Sequence, residues 1–441
     1  MRFAEFARRA PAAVDVGRVR DLWEAARDTY DPAAWVLPLP VWRLRPWEET
    51  GAEAWEALRS DLATADGHRP MCVYLHVPFC ASKCGFCDSY SFAVRSHRAE
   101  RIESYVGRIC AEIALWSEHV AARRVPTVHL GGGTPSFLGE EGLARIVETC
   151  RRHLAVAEDT EWALESTARE LTPSLLAALH RLGFRRLHVG VQSLEDGVRR
   201  AIGRTASADD AVATLAAALD LGWVVSVDMI CGLPGQTLAG VADDLERLIA
   251  EGVDGVSLYE LLVYPQNRRW AAAHGVDGEE RHLPNFWTFL AAADLLERRG
   301  FRPNVFNHWA GERDANTYFT FPERGEDLLA LGPTADGVFG DHHYRHPAHA
   351  PWMAGELPAL EGGLRRPAAA GRVQPVQTAI LGAGLGEQVL ATLDELGGGP
   401  LAGRWREAGL VEADGTGGLG LTPSGSWFAG NMVREVETVG T

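Results

Sequence analysis

The stretch Met71-Cys72-Val73-Tyr74-Leu75-His76-Val77-Pro78-Phe79-Cys80-Ala81-Ser82-Lys83-Cys84-Gly85-Phe86-Cys87 joins a β-rich run to a loop carrying three cysteines. Three thiolates spaced CxxxCxxC on one loop can wrap a cubane iron–sulfur cluster while ligating three of its four irons, which leaves one iron open. A structural zinc site wants four ligands, usually as two close pairs, and no second pair exists in this sequence. Cys72 sits too far back along an extended strand, at about 3.3 Å per residue, to join the loop. The other cysteines, Cys110, Cys150 and Cys231, are scattered through apolar segments. Seven cysteines with one tight cluster point to a metal site rather than a disulfide scaffold.

Strands and helices alternate outward from this loop. Short β-rich runs fall at Met71–Val77, Thr127–Leu130, Trp162–Glu165, Arg186–Val191, Val224–Ile230 and Gly255–Glu260. Amphipathic stretches separate them at Ile102–Val120, Glu141–Leu154, Pro173–Leu182, Ala208–Leu221 and Leu238–Glu251. This alternation predicts an α/β fold, a parallel sheet closed or partly closed like a barrel, with its site at the C-terminal strand ends. Four segments are expected. Residues 1–69 form an N-terminal helical cap rich in tryptophan (Trp23, Trp35, Trp42, Trp47, Trp55), with helical spacing over Val19–Tyr30 and Ala52–Leu62. It either covers a domain surface or also lids the site. Residues 70–265 form the barrel, 266–370 a substrate-binding region, and 371–441 a small helical or winged-helix-like module.

The chain carries 43 basic and 59 acidic residues, a formal net charge of −16, which disfavours nucleic acid as a general partner. Its 46 % hydrophobic and 23 % charged residues suit a globular protein and not a disordered one. No run of about 18 apolar residues would span a membrane, and the first 14 residues lack the apolar core of a secretory signal. A cytoplasmic location is expected.

Tyr74-Leu-His76-Val-Pro78-Phe79 ahead of the cysteine loop resembles the radical S-adenosylmethionine superfamily, in particular its oxygen-independent coproporphyrinogen III oxidase-like branch. The resemblance implies the partial (β/α)6 form of the barrel. It also implies a 4Fe-4S cluster on Cys80, Cys84 and Cys87, whose open iron chelates S-adenosylmethionine and whose electron releases a 5′-deoxyadenosyl radical. Further motifs agree in order. Gly131-Gly132-Gly133-Thr134-Pro135 matches the glycine-rich strand near the methionine amino group. Glu165 ends the third strand, as a cofactor contact or as a structural ion pair. Gly190-Val191-Gln192-Ser193 and Ile202-Gly203-Arg204 match the family's glutamine and carboxylate-pairing arginine. Asp228 and Ile230 lie in the element around ribose and adenine, and Tyr74 and Phe86 belong to the same contact set.

Four departures shape the functional expectation. Ser89 stands where the oxidase has a further cysteine, and the leader is about seventy residues long. Asp314-Ala-Asn316-Thr-Tyr318-Phe319 lacks the histidine of the heme-chaperone relatives. Tyr259-Glu260-Leu-Leu-Val-Tyr264-Pro265 replaces a proline-x-threonine strand ending. This combination resembles class C radical methyltransferases. It implies two S-adenosylmethionine molecules and transfer of a methyl or methylene carbon to an sp2 carbon of a heteroaromatic natural-product intermediate, small or peptide-borne. A flavodoxin- or ferredoxin-type electron donor goes with it. Tyr318 and Glu260 are the candidates for proton removal, and Trp270, Phe306, Trp309, Tyr318 and Phe319 for stacking on the substrate. The alternatives are a decarboxylating coproporphyrinogen III oxidase and a heme-binding chaperone. His342-His343-Tyr-Arg345-His346 has the composition of a metal site but no visible partner, and is read as a solvated loop or an anionic-substrate contact.

Overall fold

A computed structural model describes residues 2–439 apart from 35, 37, 65, 66, 68, 96, 97, 324 and 325. Six parallel strands form its centre: β1 (Met71–Val77), β2 (Arg124–Gly132), β3 (Ala155–Ser166), β4 (Phe184–Gln192), β5 (Val224–Cys231) and β6 (Gly255–Glu260). They pair in that order. Nearly every residue of β1 is buried, the pattern of a parallel strand covered on both faces. Helices Arg98–Val120, Gly139–His153, Pro173–Leu182, Ala208–Asp220 and Leu238–Ala250 make the crossovers. Their starts are written locally. Thr172 and Thr237 accept from the backbone at their N-caps, and Ser207 with Asp210 forms a capping box.

The sheet does not stop at residue 265. Strands β7 (Arg302–Val305), β8 (His308–Ala310), β9 (Asp327–Leu331), β10 (Asp336–Phe339), β11 (His342–Arg345) and β12 (Gly362–Arg365) extend it. On one side β8 runs antiparallel to β6, with β7 outside it. On the other, β9 lies parallel to β1, and β10, β11, β12 and the two-residue strand Glu49–Thr50 follow antiparallel. Between β8 and β9, helix Thr317–Glu323 lays Tyr318 on His129 of β2, with ring centroids 4.1 Å apart.

The His342–His346 run is a buried strand and not a solvated loop. His342 bonds Glu49 at 2.7 Å, His343 bonds Asp336 at 3.0 Å, and His346 lies 3.3 Å from the fully buried Glu112. Each imidazole finds an acid contributed by another segment, so its polarity concealed a core position. The helix expected over Val19–Tyr30 runs from Val16 to Ala26, because Asp15 accepts from Arg18 N and sets its start. In the leader, Trp23 packs against Trp287, Trp55 against Trp116, and Trp47 against His343. Trp35 lies outside the described residues. Residues beyond 367 form helices and a three-stranded sheet, ending in helices Pro423–Trp427 and Ala429–Val439. Among the described residues, no helix is long and apolar enough to cross a membrane.

Below the site the interior is ionic. Arg186 on β4 donates to Glu161 at 2.9 Å and to Asp314 at 2.7 Å, and His308 bonds the other oxygen of Asp314. Burial alone would raise the Asp314 pKa, but His308 and Arg186 outweigh it and hold it at about 2. Removing one member of such a network strands its partners. Arg186→Met is therefore expected to cost about 3–5 kcal/mol of unfolding free energy in a denaturant titration.

Candidate active site

One cavity of about 470 Å³ opens at the C-terminal ends of β1 to β5. Cys80, Cys84 and Cys87 line it together with Tyr74, Phe86, Gly132, Gly133 and Thr134, and with Glu165, Gln192, Arg204, Asp228 and Tyr318. Gly131 lies behind that wall, where a Cβ would meet the Glu165 carboxylate at 2.6 Å. Ile230 and Glu260 line a second, more apolar cavity of about 360 Å³. Phe86, Gln192 and Asp228 belong to both linings, so the two chambers adjoin.

The cysteine loop is stitched to its surroundings from several sides. Gly133 N donates to Val77 O at 2.7 Å and Thr134 N to Phe79 O at 2.8 Å. Ser89 Oγ donates to Gly132 O at 2.7 Å, and the Asn267 amide donates to Phe86 O at 3.0 Å. Gly85 N donates to Ile202 O, which couples the loop to the segment carrying Arg204. Thr134 Oγ1 lies 3.5 Å from Cys80 Sγ. Burial pushes the Cys87 thiol up, partly offset by Lys83.

Histidine–carboxylate pairs set the polar side of the cavity. His129 and Glu165 bond at 2.9 Å, and the second Glu165 oxygen accepts from Gly132 N at 3.1 Å. Burial works against ionisation of Glu165, but these partners win and leave its pKa below the ordinary value. His188 bridges Ser226 at 2.7 Å and Asp228 at 2.6 Å. Burial lowers the His188 pKa, but Asp228 outweighs burial and the net shift is upward. This pair stabilises the fold below about pH 6.5 and loses its contribution as pH rises through the raised value. Denaturation midpoints measured from pH 6 to 9 are expected to fall with pH in the wild type and to lose that slope in Asp228→Asn. Tyr74 OH donates to His76 Nδ1 at 3.1 Å, because His76 Nε2 is committed to Tyr90 O at 2.9 Å.

The residues fit a cluster and its cofactor. Among the described residues, no three side chains converge on a single point as they would for one metal ion. Three thiols around a wider cavity suit a cluster, in which each thiolate takes a different iron. Gln192 Oε1 and Arg204 Nε are buried without partners. Both side chains crowd Gly190, where a Cβ would meet Gln192 Nε2 at 2.8 Å and an Arg204 nitrogen at 2.9 Å. Unsatisfied buried groups of this kind are expensive and mark a ligand position; an arginine fork suits a carboxylate. Gln192 also has φ +70°, a left-handed conformation rare outside glycine and frequent at functional sites. A cluster with S-adenosylmethionine supplies a carbon-centred radical on one-electron reduction. Arg204, with its Nε unpartnered, would suit the carboxylate of such a cofactor and the Asp228 carboxylate its hydroxyls, with Phe86 and Tyr318 forming part of the same cavity wall.

The other expected residues divide. Tyr318 and Phe319 face the first cavity, and Phe306 faces the second. Trp309 faces neither: it is fully buried and donates to Glu297. Trp270 donates to Ala201 O and packs over Gly85, behind the loop. Glu260 Oε1 is held by Arg281 at 3.2 Å, His282 at 2.8 Å and Asn285 at 3.1 Å. Sequence reasoning missed His129 and His188. Period-two alternation would have found them, since His129 shares a strand face with Gly131, and His188 with Gly190 and Gln192.

This geometry is that of an enzyme that generates a radical at an open iron–sulfur cluster. Residues 74–248 match the Radical SAM superfamily model. The chain is 28 % identical to the anaerobilin synthase of Escherichia coli O157:H7, with 88 % of each chain covered. It is 33 % identical to the heme chaperone HemW of Mycobacterium tuberculosis over 67 % of this chain and 77 % of that one. Coproporphyrinogen III oxidase from Escherichia coli has the same fold, with TM-score 0.74, 23 % identity, and 89 % and 95 % of the two chains covered. The chain belongs to the radical SAM superfamily, in the branch of coproporphyrinogen III oxidase and HemW. These relatives overturn the expected methyl or methylene transfer to a heteroaromatic natural product: they are an anaerobilin synthase, a heme chaperone and a coproporphyrinogen oxidase.

Proposed function

We propose that this radical SAM enzyme acts on a tetrapyrrole of the heme or porphyrinogen class. The observation that carries the reading is the match to a relative named anaerobilin synthase, which runs through 88 % of both chains and so takes in far more than the cofactor site. The second cavity supports it. Leu258, Leu262, Phe289, Phe306 and Trp427 give it an apolar lining suited to part of a flat macrocycle, beside the residues that would hold the cofactor. One S-adenosylmethionine suffices here; the second molecule expected with methyl transfer has no part in the reading. A flavodoxin- or ferredoxin-type protein in the cytoplasm would supply the electron.

The test is anaerobic turnover of the reduced, cluster-loaded enzyme with heme or coproporphyrinogen III. Deoxyadenosine formed in proportion to macrocycle consumed is the expected result. Loss of heme absorbance identifies ring chemistry, and carbon dioxide identifies decarboxylation. Stoichiometric heme uptake with no deoxyadenosine would replace turnover with a chaperone role. Deoxyadenosine formation indifferent to either macrocycle, with neither bound, would overturn the proposal.

A further inference from the structure

Of the 43 basic side chains in this sequence, Lys83 is the only lysine, and it lies inside the cysteine loop, next to Cys84. Everywhere else the chain carries positive charge as arginine. The exception has a geometric counterpart. Lys83 Nζ donates to Ser89 O and to Ser91 Oγ at 2.9 Å, and lies 3.7 Å from Cys87 Sγ. An ammonium has three N–H donors on one nitrogen, and three acceptors surround it here. Arginine spreads its donors across a planar fork on a longer head group, so it cannot serve three acceptors gathered around one point.

The seat reaches beyond the loop. Ser89, whose carbonyl Lys83 holds, donates its hydroxyl to Gly132 O at 2.7 Å. Lys83 thereby connects one cluster ligand, the segment after it and the glycine strand. Its side chain is exposed, so water screens its long-range field. Its leverage on the sulfur is therefore local, through the N–H···S contact. Hydrogen bonds to ligand sulfurs and local charge are among the factors that set an iron–sulfur potential.

We propose that Lys83 is a positioning and tuning residue for the cluster. By donating to the Cys87 thiolate it draws charge from that ligand and makes the cluster easier to reduce, while its two other bonds fix the loop. This rests on the cluster and not on the tetrapyrrole reading, and a potential measured without substrate separates the two.

The experiment is an EPR-monitored redox titration of anaerobically loaded protein, without S-adenosylmethionine or substrate, alongside iron counts. Lys83→Met is expected to hold the wild-type iron content and to titrate at a more negative midpoint. Lys83→Arg is expected to move the same way, since it keeps the charge but loses the three-way seat. An unchanged midpoint in iron-replete Lys83→Met would overturn the proposal. Should Lys83→Met take up no iron, the loaded wild type itself decides. Lys83 is its only side-chain amine, so acetylation removes charge at one known place, and acetylated Lys83→Arg controls for the α-amine. A negative shift confined to the acetylated wild type supports the proposal. No shift, with a peptide mass proving acetylation at residue 83, overturns it.

Discussion

Alanine at Cys80, Cys84 or Cys87 is expected to abolish cluster binding and every trace of S-adenosylmethionine cleavage. All three thiols line the same cavity, and the loop offers no substitute. Cys72 is fully buried in β1, and Cys110 and Cys150 belong to the crossover helices Arg98–Val120 and Gly139–His153. A cluster held by three thiolates cannot lose one and keep its open iron in place. Iron per chain and deoxyadenosine formation measure this, and a variant with both intact would sink the cluster assignment. The fold should survive, because loop residues 80–87 sit outside the buried core and the central sheet.

The second large effect is expected from Gly133→Ala. A Cβ there would lie 2.6 Å from Phe79 O and 2.8 Å from Val77 O, and both are backbone atoms that cannot swing aside. Either the cysteine loop or the glycine strand must shift, and a displacement of about 1 Å at a reacting centre costs on the order of 100-fold in rate. Overpacking adds about 1–3 kcal/mol of destabilisation. Deoxyadenosine formation by the loaded variant should fall by that factor while iron content stays near wild type. Full activity would mean that this strand does not fix the cofactor's position.

What was legible in the sequence was what is local in the chain. The cysteine loop, the Gly131–Thr134 strand end and the Asp228 element could be read because each motif lies within a few residues, and the cavity gathers them. The six parallel strands could be read from their apolar runs, since strands covered on both faces need little polar residue. The flanking antiparallel strands could not. His342 and His343 look like a polar loop until Glu49 and Asp336 arrive from elsewhere. The second cavity was equally hidden, because Pro38, Ile230, Phe306 and Trp427 meet only in three dimensions. The methyl-transfer expectation went wrong for a related reason. Ser89 and a long leader are departures from one relative, and a departure does not specify a new reaction. Ser89 is accounted for by its bond to Gly132 O and its hold on Lys83.

The residues that line the first cavity run from Tyr74 to Phe319, whereas the second takes its walls from as far apart as Pro38 and Trp427. The apolar chamber therefore joins the two ends of the sequence across the barrel. A chain cut short before Trp427 would keep every residue that lines the first cavity and lack one wall of its neighbour.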